Sequence, residues 1–315
     1  MEDFTGDAGL RLAARFEADR PHLTAVAHRL LGSAAEADDA LQEAWLRARQ
    51  ADLDAVRNPT GWLTTVVTRV CLNMLRARRN RREEFTGAQD DSHDVPPRTA
   101  DAGDPAREAL LADEVGVALL VVLDTLGPAE RVAFVLHDLF AVPFAEIAPL
   151  IGKSPAATRQ LAGRARRRVQ GGPAASGTDA VRRRRAVEAF LAATREGDFT
   201  ALVALLDPEV VLHADALVVP TPEPVTVRGA EPVARGAMAA VARAQCTGLA
   251  LLDGEFGLVM AERGRPRLVL AFAFGTDGRI TGIDVVAEPG RLRKTGIAVV
   301  DPGRAGAGGR AELDQ

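Results

Sequence analysis

Apolar positions recur at helical spacing through the first half of the chain and change rhythm in its last third. Leu12 and Phe16 open one stripe, and Leu23, Val26, Ala27 and Leu30 continue it on the same face; this predicts a helix that Gly32-Ser33 ends while capping the next. Ala37, Leu41, Ala44 and Ala48 give a second helix, and Asn58-Pro59-Thr60 caps a third whose buried stripe is Leu63, Val66, Val67, Val70 and Met74. Further on, Phe144, Ile147, Ala148 and Ile151 form a short amphipathic helix. Gly152 then supplies a residue able to take positive φ, and Ser154-Pro155 reads as an N-cap followed by proline at the first helical position. The helix starting there turns Thr158, Leu161, Ala162, Ala165 and Val169 inward and Arg159, Gln160, Gly163, Arg166 and Arg167 outward, so the pair reads as a helix-turn-helix.

From residue 181 the pattern mixes helices and strands. Helices are expected at 186–195, 199–206 and 231–243, and strands at 210–213, 225–228, 247–252, 256–262, 267–274 and 280–286, the last after the turn Thr276-Asp277-Gly278. Helices first and a meander last predict an α+β cone with a pocket between sheet and helices. Composition shifts to Gly, Asp, Ser, Pro and Thr near 83–105 and again near 171–179 mark linkers. The chain is therefore expected to be multi-domain, with two all-α domains followed by the cone. The boundaries are 1–85, a linker at 86–105, a helix-turn-helix domain at 106–170, a linker at 171–180, the cone at 181–300 and a disordered tail at 301–315.

Composition narrows the chemistry. Among 315 residues there are two cysteines, Cys71 and Cys246, far apart, and five scattered histidines, which supports neither a disulfide framework nor a metal site. The N-terminus is acidic where a signal peptide would be basic, and the longest apolar run, 115–123, is too short to span a bilayer; a cytoplasmic protein without membrane insertion or cofactor is expected. The net charge of −4 hides segregation, because arginines cluster at 76–82, 164–168 and 182–185. The last of these, just after a Gly/Pro/Ala-rich stretch, reads as a solvated face or linker.

The exposed faces carry the candidate chemistry. Arg159 and Gln160 are side chains able to bond purine edges bidentately, Gly163 permits close approach, and Arg166 and Arg167 can neutralise phosphates, as a helix in a major groove requires. On the second helix Asp38, Asp39, Gln42, Glu43 and Trp45 make an acidic surface with an aromatic, suited to a partner helix or, for Trp45, to plain core packing. The third helix joins Trp62 to the run Arg76-Ala-Arg-Arg-Asn-Arg-Arg82, an aromatic beside phosphate-binding groups, as single-stranded DNA would need.

Four segments, Ala37-Asp-Asp-Ala-Leu-Gln-Glu-Ala-Trp-Leu-Arg-Ala48, Gly61-Trp-Leu-Thr-Thr-Val-Val-Thr-Arg-Val-Cys-Leu-Asn-Met-Leu-Arg76, Leu126-Gly-Pro-Ala-Glu-Arg-Val-Ala-Phe-Val-Leu-His137 and the helix-turn-helix, together resemble the extracytoplasmic-function sigma factors of the sigma-70 family over about the first 170 residues. The resemblance implies a subunit of RNA polymerase core that directs promoter-specific initiation. It places Asp38, Asp39, Gln42, Glu43 and Trp45 against polymerase, Trp62, Arg69, Asn73 and Arg76 on the −10 element, and Arg159, Gln160 and Arg164, with Arg166 and Arg167, on the −35 element. An anti-sigma factor or a small ligand are the further partners it suggests.

The last block resembles the SnoaL-like, ketosteroid-isomerase-like cone that some of these factors carry as a modulating extension. Asp215, in Leu212-His213-Ala214-Asp215, stands where enzymes of that fold place a carboxylate base and is the candidate pocket residue. The chain has no tyrosine for an oxyanion hole, and 267–274 carries no second acid, so no catalytic residue is assigned. Two alternatives remain at this point. A ligand-responsive helix-turn-helix regulator leaves the acidic surface of the second helix and the Trp62 helix unexplained; a fused isomerase or hydrolase would have to act through Asp215.

Overall fold

The computed structural model describes residues 3–49, 56, 58–86, 116–170, 178–218 and 223–300. Of the expected linkers at 86–105 and 171–180, residues 87–105 and 171–177 lie outside the described residues, as do the segment 106–115 and the tail 301–315, whereas 86 closes one helix and 178–180 open another. Contacts divide the chain into two units, Met1–Glu108 with Leu126–Ala165, and Ala109–Thr125 with Arg166–Gln315.

In the first unit, α1 (Asp3–Leu31), α2 (Ala34–Ala48) and α3 (Pro59–Thr86) pack pairwise. Gly32 takes φ 77°, which ends α1, and the Glu36 amide donates to the Ser33 hydroxyl that caps α2. The Gly61 amide donates to Asn58 Oδ1 at 3.0 Å, so the expected cap of α3 forms. Leu12, Phe16, Leu23, Val26, Ala27 and Leu30 are all buried, as are Ala37, Leu41, Ala44 and Ala48. The buried arc of α3 is wider than the expected stripe. Leu63, Val67 and Val70 are joined by Thr68, Cys71, Leu72 and Leu75, whereas Val66 and Met74 are half-buried. Neighbours on several sides cause this, since α3 packs on α1, on α2 and on the helices of the helix-turn-helix segment.

That segment comprises α5 (Pro128–Phe134), which closes in a π turn at Val135–Leu139, then α6 (Phe144–Ile151) and α7 (Pro155–Gln170). Arg131 of α5 is buried and donates to the Leu30 carbonyl at 2.9 Å, tying α5 to the end of α1.

The second unit is an α+β cone. A seven-stranded sheet has the order β2-β1-β6-β5-β4-β3-β7. Its strands are β1 (Leu206–Ala214), β2 (Val225–Arg228), β3 (Thr247–Leu252), β4 (Glu255–Glu262), β5 (Arg265–Phe274), β6 (Ile280–Val286) and β7 (Ile297–Ala298). β1 lies parallel to β6, in the register Leu212↔Ile283 and Ala214↔Val285, and every other pair is antiparallel. One face carries α8 (Thr178–Glu196), α9 (Phe199–Leu205), α10 (Ala230–Met238) and α11 (Val241–Ala244). The opposite face carries α4 (Val117–Thr125) and α12 (Pro289–Lys294). Burial on both faces explains why Phe256–Met260 of β4 are all buried instead of alternating.

Several bounds differ from expectation. Arg182 to Arg185 belong to α8, which starts at Thr178 and not at 186; of the two readings of this run the solvated face holds, with Arg182 and Arg185 exposed, and the linker does not. The helix expected at 231–243 is two, broken at Ala239 and Ala240. β1 starts earlier than expected, at Leu206, and α12 and β7 carried too few apolar residues to be read from periodicity.

Candidate nucleic-acid and partner interfaces

The turn of the helix-turn-helix is built by local chemistry. Gly152 sits in the left-handed region at φ 66°, and the Lys153 amide donates to the Ala148 carbonyl at 3.0 Å. The Ala157 amide donates to Ser154 Oγ at 3.2 Å, which starts α7. Thr158, Ala162, Ala165 and Val169 are buried and Leu161 is half-buried, so the helix is seated by the face that periodicity predicts. Arg159, Gln160, Arg166 and Arg167 are exposed opposite, with half-buried Gly163 between them.

Arg159 and Arg164 of α7 are already engaged within the fold. The Arg159 guanidinium lies 5.5 Å from the Phe144 ring, which itself stacks on His137 at 3.7 Å. Arg164 pairs with Glu130 at 3.1 Å, and the same carboxylate accepts from the Gly127 amide at the start of α5. A phosphate at Arg164 would therefore compete with a structural carboxylate, which the sequence did not disclose.

On α2, Asp39, Gln42 and Glu43 are exposed and Asp38 is half-buried. Glu43 pairs with Arg47 one turn on at 2.9 Å, a solvent-screened contact of little energy. Trp45 combines both readings made of it: it is half-buried, edge-on to Phe16 with centroids 5.2 Å apart. Leu46 was missed. It is 53% exposed, and with Asp39, Gln42 and Glu43 it completes an i, i+3, i+4, i+7 stripe, a spacing present in the sequence all along.

On α3, Arg69, Asn73 and Arg76 are exposed and Trp62 half-buried. Positions 62, 69, 73 and 76 fall within one helical face. The arginine run beyond them is not uniformly outward: Arg78 donates to the Leu31 carbonyl at 3.3 Å and to Glu36 at 3.5 Å, clamping α3 to its neighbours. Two further titratable groups lie deep in this bundle. His28 is buried with no partner for Nδ1, and burial, with the nearby Arg29 charge adding to it, pushes its pKa down to about 4. Burial likewise pushes the Cys71 thiol up, which makes it unreactive.

In the cone, the candidate pocket residue Asp215 has a different role. Its Oδ2 accepts from the amides of Ala287 and Glu288 at 2.9 and 3.0 Å, and its Oδ1 meets Arg291 at 2.7 Å. Burial alone would raise its pKa, but the two amides and Arg291 outweigh that and hold the carboxyl below its ordinary value. The other arm of Arg291 meets Asp284 at 2.8 Å, so an acid does stand on a late strand, on β6 and not on β5. Asp215 is a staple between β1 and the start of α12, and it does not line the cavity of about 200 Å³ between sheet and helices. That cavity is walled by Phe190, Leu212, Val233, Leu258, Leu270 and other apolar residues, with Thr194, Thr247 and Arg243 supplying its polar side chains. Among the described residues no group of His, Cys, Asp and Glu is arranged to hold a metal, and no helix is long and apolar enough to cross a membrane.

Two family models and several relatives match this chain. The family model for sigma-70 region 2 matches residues 15–81 and that for sigma-70 region 4 matches residues 116–169. The ECF RNA polymerase sigma factor SigJ of Mycobacterium tuberculosis is 41% identical over 287 residues, covering 86% of this chain and 87% of that one. The probable ECF RNA polymerase sigma factor SigI of the same organism is 38% identical over 207 residues, covering 65% and 70%. The crystal structure of M. tuberculosis SigJ aligns with 89% of this chain and 98% of its own, at 33% identity and a TM-score of 0.42. With both family segments present in order and a relative of that identity along most of the chain, the protein belongs to the extracytoplasmic-function RNA polymerase sigma factors.

Proposed function

We propose that the chain associates with RNA polymerase core through the α2 stripe, reads and opens the −10 element with α3, reads the −35 element with α7, and thereby directs promoter-specific initiation. The observation that carries this is the coexistence, in one chain, of an acidic α2 face ending in an exposed leucine with two separate helices whose outward faces are basic. A ligand-responsive repressor has no use for the first. Opening a base from the duplex costs roughly a few kcal/mol, and binding to polymerase and to both elements can offset it without nucleotide hydrolysis. Sigma-family chemistry is not enzymatic, and the engaged Asp215 gives the fused-enzyme reading no base.

The cone is proposed to modulate this activity. In support, α4 lies inside the region 4 match at 116–169, yet its Val117, Ala118 and Val121 pack on Ala250, Leu252, Val259 and Val269 of the cone sheet. At the other end of that match, the Val299 amide donates to the Val169 carbonyl at 3.1 Å. Both ends of the region 4 match thus belong to the same unit as the cone sheet, and a ligand or partner that stabilises one arrangement of these contacts over another would bias promoter reading. Run-off transcription by polymerase core with the full chain on candidate promoters tests the reading. Promoter-dependent transcripts lost in Asp39→Ala/Glu43→Ala, with duplex binding intact, are expected; tight promoter binding with no transcript under any condition overturns it.

A further inference from the structure

The cone cavity is the feature that promoter recognition leaves unused. Protein interiors are packed as densely as organic crystals, and a void of about 200 Å³ forfeits contacts along all its walls. It exists because one side is built from small residues, Gly236, Ala237, Ala240 and Ala244, facing the larger side chains of the sheet and α8. A Cβ built on Gly236 meets nothing within 4 Å, so the hollow is not a close approach of backbones.

The polar groups of the lining separate into two kinds. Inside, the Thr194 hydroxyl donates to the Phe190 carbonyl at 2.8 Å and the Thr247 hydroxyl to the Arg243 carbonyl at 2.9 Å; both are consumed by backbone carbonyls, the first within α8 and the second from the start of β3 back to α11. Arg195 locks the far wall by donating to the carbonyls of Ala244 and Thr247. The body of an occupant therefore gains nothing from polar groups and loses by carrying them. At the rim stands exposed Arg243, whose Nη1 donates to the Val218 carbonyl at 3.2 Å. A guanidinium has five N–H donors, and among the described residues Arg243 meets no carboxylate.

We infer that this cavity binds a medium-chain carboxylate, its hydrocarbon chain inside and its carboxylate on Arg243. An apolar cavity of 150 Å³ is enough for benzene, so the volume here suits a chain of about eight to ten carbons. The site is independent of the initiation-factor reading, and its failure would leave that reading standing.

Isothermal titration of the full chain with decanoate, decanol and acetate, below the micellar range, tests it. Decanoate is expected to bind at one equivalent, decanol about tenfold more weakly because the charge-assisted hydrogen bonds are missing, and acetate not at all. Arg243→Gln, at an exposed position, should bring decanoate down to the affinity of decanol without altering the melting temperature. Ala237→Leu should fill the cavity and abolish both, with the melting temperature held or raised. No saturable binding of decanoate overturns the inference. So does binding to which Arg243→Gln and a folded Ala237→Leu are both indifferent, since the ligand would then lie elsewhere.

Discussion

Replacing His28 with leucine should flatten the acid side of the stability profile of the helical unit. His28 is 2% exposed and its Nδ1 has no partner, so the fold holds the ring neutral. An imidazole that titrates near its ordinary 6.5 in the unfolded chain and at about 4 in the fold carries a difference of about 3.4 kcal/mol between its two protonation states. The folded value is the lower one, so the unfolded chain takes up the proton first. Stability is then complete above 6.5 and is lost as pH falls towards 4, by about 2 kcal/mol at pH 5 and about 3 kcal/mol at pH 4. His28→Leu removes that slope. At neutral pH it should be no less stable than the parent, because the buried nitrogen it deletes made no hydrogen bond. Both tryptophans of the chain, Trp45 and Trp62, lie in this unit, so urea unfolding followed by tryptophan fluorescence reports on it and not on the cone. Asp215 and other carboxylates also lose stabilisation in acid, but they do so equally in both proteins and cancel in the difference. Parallel profiles for parent and variant between pH 7 and 4.5 would refute the reasoning, and would mean that the ring is solvated or protonated in the fold.

Arg159→Ala and Gln160→Ala should each cost on the order of 1–3 kcal/mol on the cognate −35 element and relax discrimination there, whereas Arg167→Ala should weaken all sequences alike and shallow the salt dependence; fluorescence anisotropy on matched and scrambled duplexes separates the two, and uniform loss from Arg159→Ala would remove its reading role. Gly248→Val should disturb the seat of α4, since an added Cβ would stand 2.9 Å from Val117 Cβ; about 1–3 kcal/mol of overpacking should appear as faster hydrogen exchange at 117–125 and a change in promoter-dependent transcription, and unchanged exchange would show that α4 is not held there. Asp215→Asn keeps the shape of the staple but loses its charge, and should lower cone stability by roughly 1–3 kcal/mol at neutral pH while sparing decanoate binding, as calorimetry of the variant would show.

Local chemistry made the helical half legible. The turn of the helix-turn-helix needs only a left-handed glycine, a serine cap and a stripe of small and apolar residues on α7, and each of these acts within a few positions of itself. The same holds for Asn58 at α3, for the exposed faces carrying Arg159, Gln160, Arg69 and Asn73, and for strands such as Thr247–Leu252, whose limits follow from composition and turns. Leu46 was equally within reach, lying on the stripe of Asp39 and Glu43, but one exposed leucine carries no signal until its burial is known.

The rest depended on which distant segments meet. Asp215 and Arg291 are 76 residues apart, and only the parallel pairing of β1 with β6 carries the aspartate to the Ala287 and Glu288 amides, just before α12, that turn it from a candidate base into a staple. Arg164 reads as a −35 contact until Glu130 is found beside it, and nothing local to Arg131 announces the Leu30 carbonyl, 101 residues away, that it reaches. The apolar run at 117–123 announces burial but not its partner, and the sheet face that receives it is assembled from strands more than 120 residues later. Periodicity records which side of an element avoids water. The identity of what covers that side, and whether the space between is filled or left as a cavity, is decided by side-chain volumes summed across the fold.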